Sequence, residues 1–147
     1  MQKNILRSTA AVLAGFISVL VLSILTDILL EQSGIFPPQS EPVSYGWWML
    51  LLALVYRSLY GALGGYLAAQ LAPHRPMRHT IILGTIGFVF AALGTLANWN
   101  KTSPSTQWYP ILLVLFTFPC VWLGGKAQTA RSNSKVAVES HYSKTLP

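Results

Sequence analysis

Long apolar blocks alternate with short polar ones along this chain. A membrane-spanning helix takes about 20 mostly apolar residues. Residues 5–30, 47–71, 80–98 and 108–125 each meet that requirement. Between the first two blocks lies "EQSGIFPPQSEPVSYG", too rich in Pro, Ser and Gly to continue a helix. "APHRPMRH" reads as a tight turn between the second and third, and "WNKTSPSTQ" separates the third from the fourth. The pattern predicts an all-α integral membrane four-helix bundle. Residues 1–126 would form the transmembrane domain, and residues 127–147 a polar, disordered cytoplasmic tail.

Composition agrees with this class. The chain has 147 residues, enough for one domain, with 52% hydrophobic and only 10% charged positions. A soluble domain carries about 25% charged residues. "MQKNILR" resembles the charged start of a signal peptide. The apolar block after it is longer than a signal's, and no small-x-small cleavage site follows, so the first block is expected to stay as a span.

The net charge of +6 is distributed by loop. Lys3 and Arg7 precede the first span, Arg75 and Arg78 lie in the middle turn, and Lys126, Arg131, Lys135 and Lys144 follow the last. The opposite loops hold Glu31, Glu41 and Lys101. The positive-inside rule then places both termini in the cytoplasm. Trp47, Trp48, Trp99, Trp108 and Tyr109 cluster at the outer ends, where aromatic rings favour the headgroup layer. Arg75 and Arg78 can also meet anionic lipid at the cytoplasmic surface, although topology alone would put them there and is the preferred account. No basic stripe with nucleic-acid motifs is present.

One charge interrupts this order. Arg57 sits well inside the second block, where an arginine costs about 2.5–3.5 kcal/mol on insertion scales. At 100° per residue it shares a face with Ala53, Gly61, Gly64 and Ala68. Small residues let helices approach closely in a membrane, and Gly61 and Gly65 have the familiar four-residue spacing. The third block has a cleaner stripe of Thr80, Gly84, Gly87, Ala91, Gly94 and Asn98, with Leu83, Ile86, Phe90 and Leu93 off it. This predicts that the second and third spans pack closely through Gly61, Gly64, Gly65, Gly84, Gly87 and Gly94, with Asn98 as polar glue. Shorter stripes occur in the first block, at Ala11, Gly15, Ser18, Leu22 and Thr26, and in the fourth, at Thr117, Cys120 and Gly124.

Asp27 is the one carboxylate inside a span and the natural acceptor for Arg57. At 1.5 Å per residue it lies about 7 Å below the outer end of its helix, and Arg57 about 15 Å below the outer end of the next. Both side chains lean toward their own N-terminus, which closes most of the gap. Asp27 stands about 100° from the centre of its helix's small stripe, so a headgroup contact is the alternative. Tyr56 and Tyr60 flank Arg57 and offer hydroxyl acceptors or ring faces. The pair reads as a structural clamp or as an ion relay.

Other chemistry is not legible. Cys120 has no partner cysteine. His74, His79 and His141 fall in the turn and tail, with no metal-ligand spacing. No catalytic set and no phosphate loop appear, and "GALGG" lies within a span. The expectation is therefore no enzyme, no cofactor and no metal. A faint internal likeness links "YGALGGYLA" to "CVWLGGKA", and also aligns Trp48 with Trp108. Two tandem helical hairpins would produce it, but the ordinary reuse of Gly for packing and Trp for anchoring in membrane helices accounts for it equally and is preferred.

"GGYLAAQLAPHRPMRHTIILGTIGFVFAALGT" and "QWYPILLVLFTFPCVWLGGK" resemble a group of small four-span bacterial inner-membrane proteins with no established activity. The resemblance covers residues 57–126 and implies a bacterial plasma membrane. In size the chain is also similar to small multidrug resistance transporters, whose acidic first-span residue Asp27 would match. That residue lies nearer mid-membrane in those proteins, and an intramembrane arginine is foreign to them. The expected function is non-enzymatic, through helix association as a small subunit or homo-oligomer, with membrane lipids and another membrane protein or a second copy as partners and no nucleic acid. The alternative is a small transporter or channel with Asp27 and Arg57 near its path.

Overall fold

The computed structural model describes residues 2–37, 45–102 and 104–145. It is built from α1 (Gln2–Gln32), α2 (Trp47–Leu71), α3 (Pro76–Asn98) and α4 (Trp108–Thr145). Two 3-10 turns, Trp99–Lys101 and Pro104–Thr106, join α3 to α4. Among the described residues there is no strand, and all four helices are long and apolar enough to cross a membrane. Residues 38–44, and Glu41 with them, lie outside the described part.

Local chemistry sets the helix ends. Gly34 lies at φ +74 with open space around it, so backbone conformation and not crowding demands glycine there. The Ile35 N–H donates to the Leu30 carbonyl at 3.0 Å, and the Gly34 N–H to that of Glu31 at 3.1 Å. This is the Schellman cap, which satisfies carbonyls that a helix end leaves open. It turns Phe36 back onto α2, where it is buried against Ala53 and Tyr56. Ala72 is extended, as residues before proline tend to be. Pro76 opens α3 at the first helical position, where its missing N–H costs little. The helix therefore begins four residues before the expected start at residue 80.

α4 departs most from the sequence reading. It does not end at Gly125 but continues to Thr145, through the segment expected to be a disordered tail. No proline or glycine interrupts residues 126–145, and alanine, lysine and arginine favour helix there. The Arg131 guanidinium donates from Nη1 to the Tyr66 hydroxyl at 3.2 Å, tying the extension to α2. Pro119 sits inside the helix and withholds one N–H from its ladder.

α1 and α2 pack as one antiparallel hairpin and α3 and α4 as another, and the two meet mainly where α2 and α4 run parallel. α2 and α3 touch much less, so the expected α2–α3 seam is not the principal one. An added Cβ at Gly64 would lie 2.9 Å from the Gly15 carbonyl oxygen of α1, and one at Gly15 would lie 2.7 Å from the Gly64 carbonyl. Gly61 faces Cys120 and Val121 of α4. A Cβ at Gly65 would strike the Val121 backbone, and one at Gly124 the Ala62 backbone. These last two contacts are reciprocal across the parallel pair.

The stripe of α3 faces α4 instead of α2. Gly84 meets Phe118 and Val121, and Gly87 meets Thr117. Gly94 has no neighbour within 4 Å, which removes it from the packing set. The Asn98 amide donates to the Gly94 carbonyl of its own helix at 2.9 Å and is exposed, so it glues nothing across helices. Leu83, off the stripe, is buried with Ala68 and Val121. Thr80 is fully buried beside Gly125.

The glycines should therefore separate by partner. Gly65→Ala and Gly124→Ala push a methyl into backbone that cannot rotate away, and each should destabilise by about 2 kcal/mol. Gly94→Ala fills open space and should stabilise by about 0.5–1 kcal/mol through helix propensity. Thermal melts in mild detergent measure all three; equal effects at positions 65 and 94 would contradict the seam.

Candidate functional site

The polar cluster lies toward the tryptophan-bearing end of the helices, where the α1–α2 hairpin closes. Thr26 and Asp27 are consecutive on α1. Tyr56, Arg57 and Tyr60 fall on adjoining faces of α2, one position and then one turn apart. The Gly15–Gly64 contact fixes the register that brings these groups level. The Arg57 Nη2 donates to Asp27 Oδ2 at 2.7 Å, the one salt bridge among the described residues. The Tyr56 hydroxyl donates to Asp27 Oδ1. Thr26 and Tyr60 share a hydrogen bond between their hydroxyls at 2.8 Å.

Both carboxylate oxygens of Asp27 are thus engaged by donors. Tyr56 donates to the carboxylate, where the sequence offered it as an acceptor for Arg57; Tyr60 bonds α1 at the neighbouring residue. The two rings lie 5.7 Å apart. Arg57 Nε is buried without a partner. Its Nη2 is met by Asp27, while about a third of the side chain, 34%, stays accessible.

Aromatic packing surrounds the pair. Phe36, Ala53 and Tyr56 form a buried cluster, with Leu30, Tyr45, Met49, Tyr60 and Tyr109 against it. Phe36 and Tyr45 meet edge to face at 5.9 Å. Burial, then the charges of Glu31 and Asp27, push the Tyr45 phenol above its usual range, with Arg57 opposing them. Tyr109 brings α4 to the same cluster, a participant the sequence marked only as an interfacial anchor. A charge at residue 57 facing a fourth-span tyrosine has no signature in either helix alone.

The remaining candidates stay apart. Among the described residues no three His, Cys, Asp or Glu side chains stand close enough to hold a metal. Cys120 is a free thiol against Gly61. His74 is exposed, and the His79 Nδ1 lies 3.4 Å from the Arg75 carbonyl. A shallow apolar groove between α3 and α4 is lined by Thr85, Phe88, Leu115, Phe118 and Pro119, with the Thr85 hydroxyl turned to the Ile81 carbonyl of its own helix. The arrangement can hold two helices together and orient one cation. No family model, no curated protein and no solved structure matches the chain.

The cluster predicts asymmetric mutants. Arg57→Leu leaves Asp27 its tyrosine donor and should be mild. Asp27→Leu strands a guanidinium that does not deprotonate, together with the Tyr56 hydroxyl, and should cost about 1–3 kcal/mol. The double leucine variant should recover much of that loss, because apolar packing often equals a buried pair. Detergent melts of the four proteins give the coupling, and a value below about 0.5 kcal/mol would show that the pair does no joint work.

Proposed function

We propose that this chain is a multi-pass protein of a bacterial inner membrane, with both termini cytoplasmic, that acts through helix association as a small subunit or homo-oligomer and not as an enzyme. The observation that carries the reading is the Asp27–Arg57 pair. It stands between helices whose outward surfaces are otherwise apolar, including Leu20, Ile24, Leu59, Leu63, Phe90 and Leu93. Such surfaces need an apolar solvent, and a charge pair within them is tolerated when its members satisfy each other. The hydroxyls of Ser18, Thr85, Thr95 and Thr117 each bond the carbonyl four residues earlier, which suits a medium without water.

The loop charges support the orientation. The resemblance of residues 57–126 to small four-span bacterial proteins supports the choice of membrane. α1 leaves its apolar face from Leu13 to Ile28 mostly exposed, a surface available to lipid or to a second membrane helix. A transporter or channel is the second reading. It is favoured by the accessible third of the Arg57 side chain, which leaves a cation within reach of a passing anion.

Alkaline phosphatase fusions test the topology. Fusions at residues 40 and 104 should be active and those at residues 76 and 140 inactive. Activity at residue 76 would overturn the four-span arrangement. Native mass spectrometry in mild detergent tests association: a multiple of the chain mass or a copurifying membrane protein is expected. A bare monomer, with anion flux in liposomes that Arg57→Gln abolishes, would favour the transporter.

A further inference from the structure

Arg7, Arg75, Arg78, Lys126 and Arg131 gather at one end of the bundle, and the packing contacts place them there independently of any topology rule. Gly15 lies against Gly64. Counting about two turns back along α1 and forward along α2 sets Arg7 level with the end of α2. Gly125 rests on Thr80, so Lys126 lies beside the first turn of α3, level with Arg78. Arg131 reaches the Tyr66 hydroxyl of α2. All five side chains are exposed.

No carboxylate answers them. Among the described residues, Asp27 and Glu31 lie at the opposite end, and Glu139 lies about 20 Å farther along α4 than Lys126. The partners on hand are neutral: the Tyr66 hydroxyl for Arg131, and for Lys126 the Trp122 ring at 4.9 Å. That ring marks headgroup depth on α4, since indoles favour the interface. The turn itself is held in a costly shape. Arg75 has φ 50, a left-handed conformation that costs a non-glycine residue about 1–2 kcal/mol. Its carbonyl accepts the Arg78 N–H at 3.0 Å, which closes the turn's backbone between the two residues. Guanidinium groups bind phosphate oxygens in pairs, and an ammonium adds a point charge.

We propose that this end binds the phosphate headgroup of an anionic phospholipid, seated between the α2–α3 turn and α4, with Arg75, Arg78 and Lys126 as its principal ligands. The inference rests on the membrane reading above. Charge-based topology needs cations somewhere on this side of the membrane. It does not require exposed cations of two elements to lie level with one another beside a turn of left-handed backbone.

The test uses the full chain in non-ionic detergent, titrated with phosphatidylglycerol or with phosphatidylcholine of the same acyl chains. Native mass spectrometry should show retention of the anionic lipid and not of the zwitterionic one, with a raised melting temperature only for the former. Both effects should fall with added salt. Arg75→Gln/Arg78→Gln/Lys126→Gln should retain the anionic lipid about a hundredfold less well. If that variant fails to fold, the salt dependence of the unaltered chain decides, and salt-insensitive retention overturns the proposal. Equal retention of the two lipids overturns it, as does full retention by the variant. The same stabilisation by inorganic phosphate would assign the site to a soluble anion and overturn the lipid. Release of the chain from membranes by alkaline carbonate would instead end the membrane reading, whereas a carbonate-resistant chain indifferent to lipid charge ends this inference alone.

Discussion

Close approach of backbones along α2 is the constraint on which the bundle depends. In the membrane proposed for this chain, apolar helices would gain nothing from hiding side chains, and association would rest on dispersion contacts and on the few hydrogen bonds between them. Dispersion falls steeply with distance. Glycine brings two helix axes near enough for carbonyl and Cα surfaces to touch. Gly64 and Gly65 are adjacent in sequence and therefore about 100° apart around the helix. One faces Gly15 of α1 and the other Val121 of α4. A single pair of glycines thus joins two hairpins, and α2 becomes the element that the other helices share.

The two ends of the bundle solve different electrostatic problems. Toward the tryptophan end, a cation lies among tyrosines and is met by Asp27 at 2.7 Å. That pair depends on the glycine contact below it, because a small slide of α1 would carry the carboxylate out of reach of both Tyr56 and Arg57. At the other end the cations are exposed and meet only neutral groups of the fold. Polar groups between these ends mostly turn back on their own helices, as Thr85 and Thr95 do.

Much of the site was legible as composition but not as geometry. Asp27 and Arg57 stood out because charges inside apolar blocks are costly, and their depths could be compared by counting residues. The role of Tyr56 was not legible, since a hydroxyl beside an arginine and a hydroxyl beside its carboxylate look alike in sequence. Asn98 looked like glue because it closed a stripe, yet its amide finds the Gly94 carbonyl one turn back. Periodicity describes a face relative to the helix's own axis. It carries no information on whether a polar group will be satisfied along that axis or across to another.

The sequence by itself determined the four apolar helices, the turns that separate them and the charge asymmetry between their ends. These follow from block length, from Gly34 and Pro76, and from the placement of Lys and Arg, all of them local properties. Tertiary structure decided which helix each glycine serves. It turned the α3 stripe to α4, left Gly94 empty and buried Leu83. The reason is rotational. An apolar helix with small residues on more than one face can be turned toward several neighbours at little cost, and only simultaneous packing of all four selects one set of rotations.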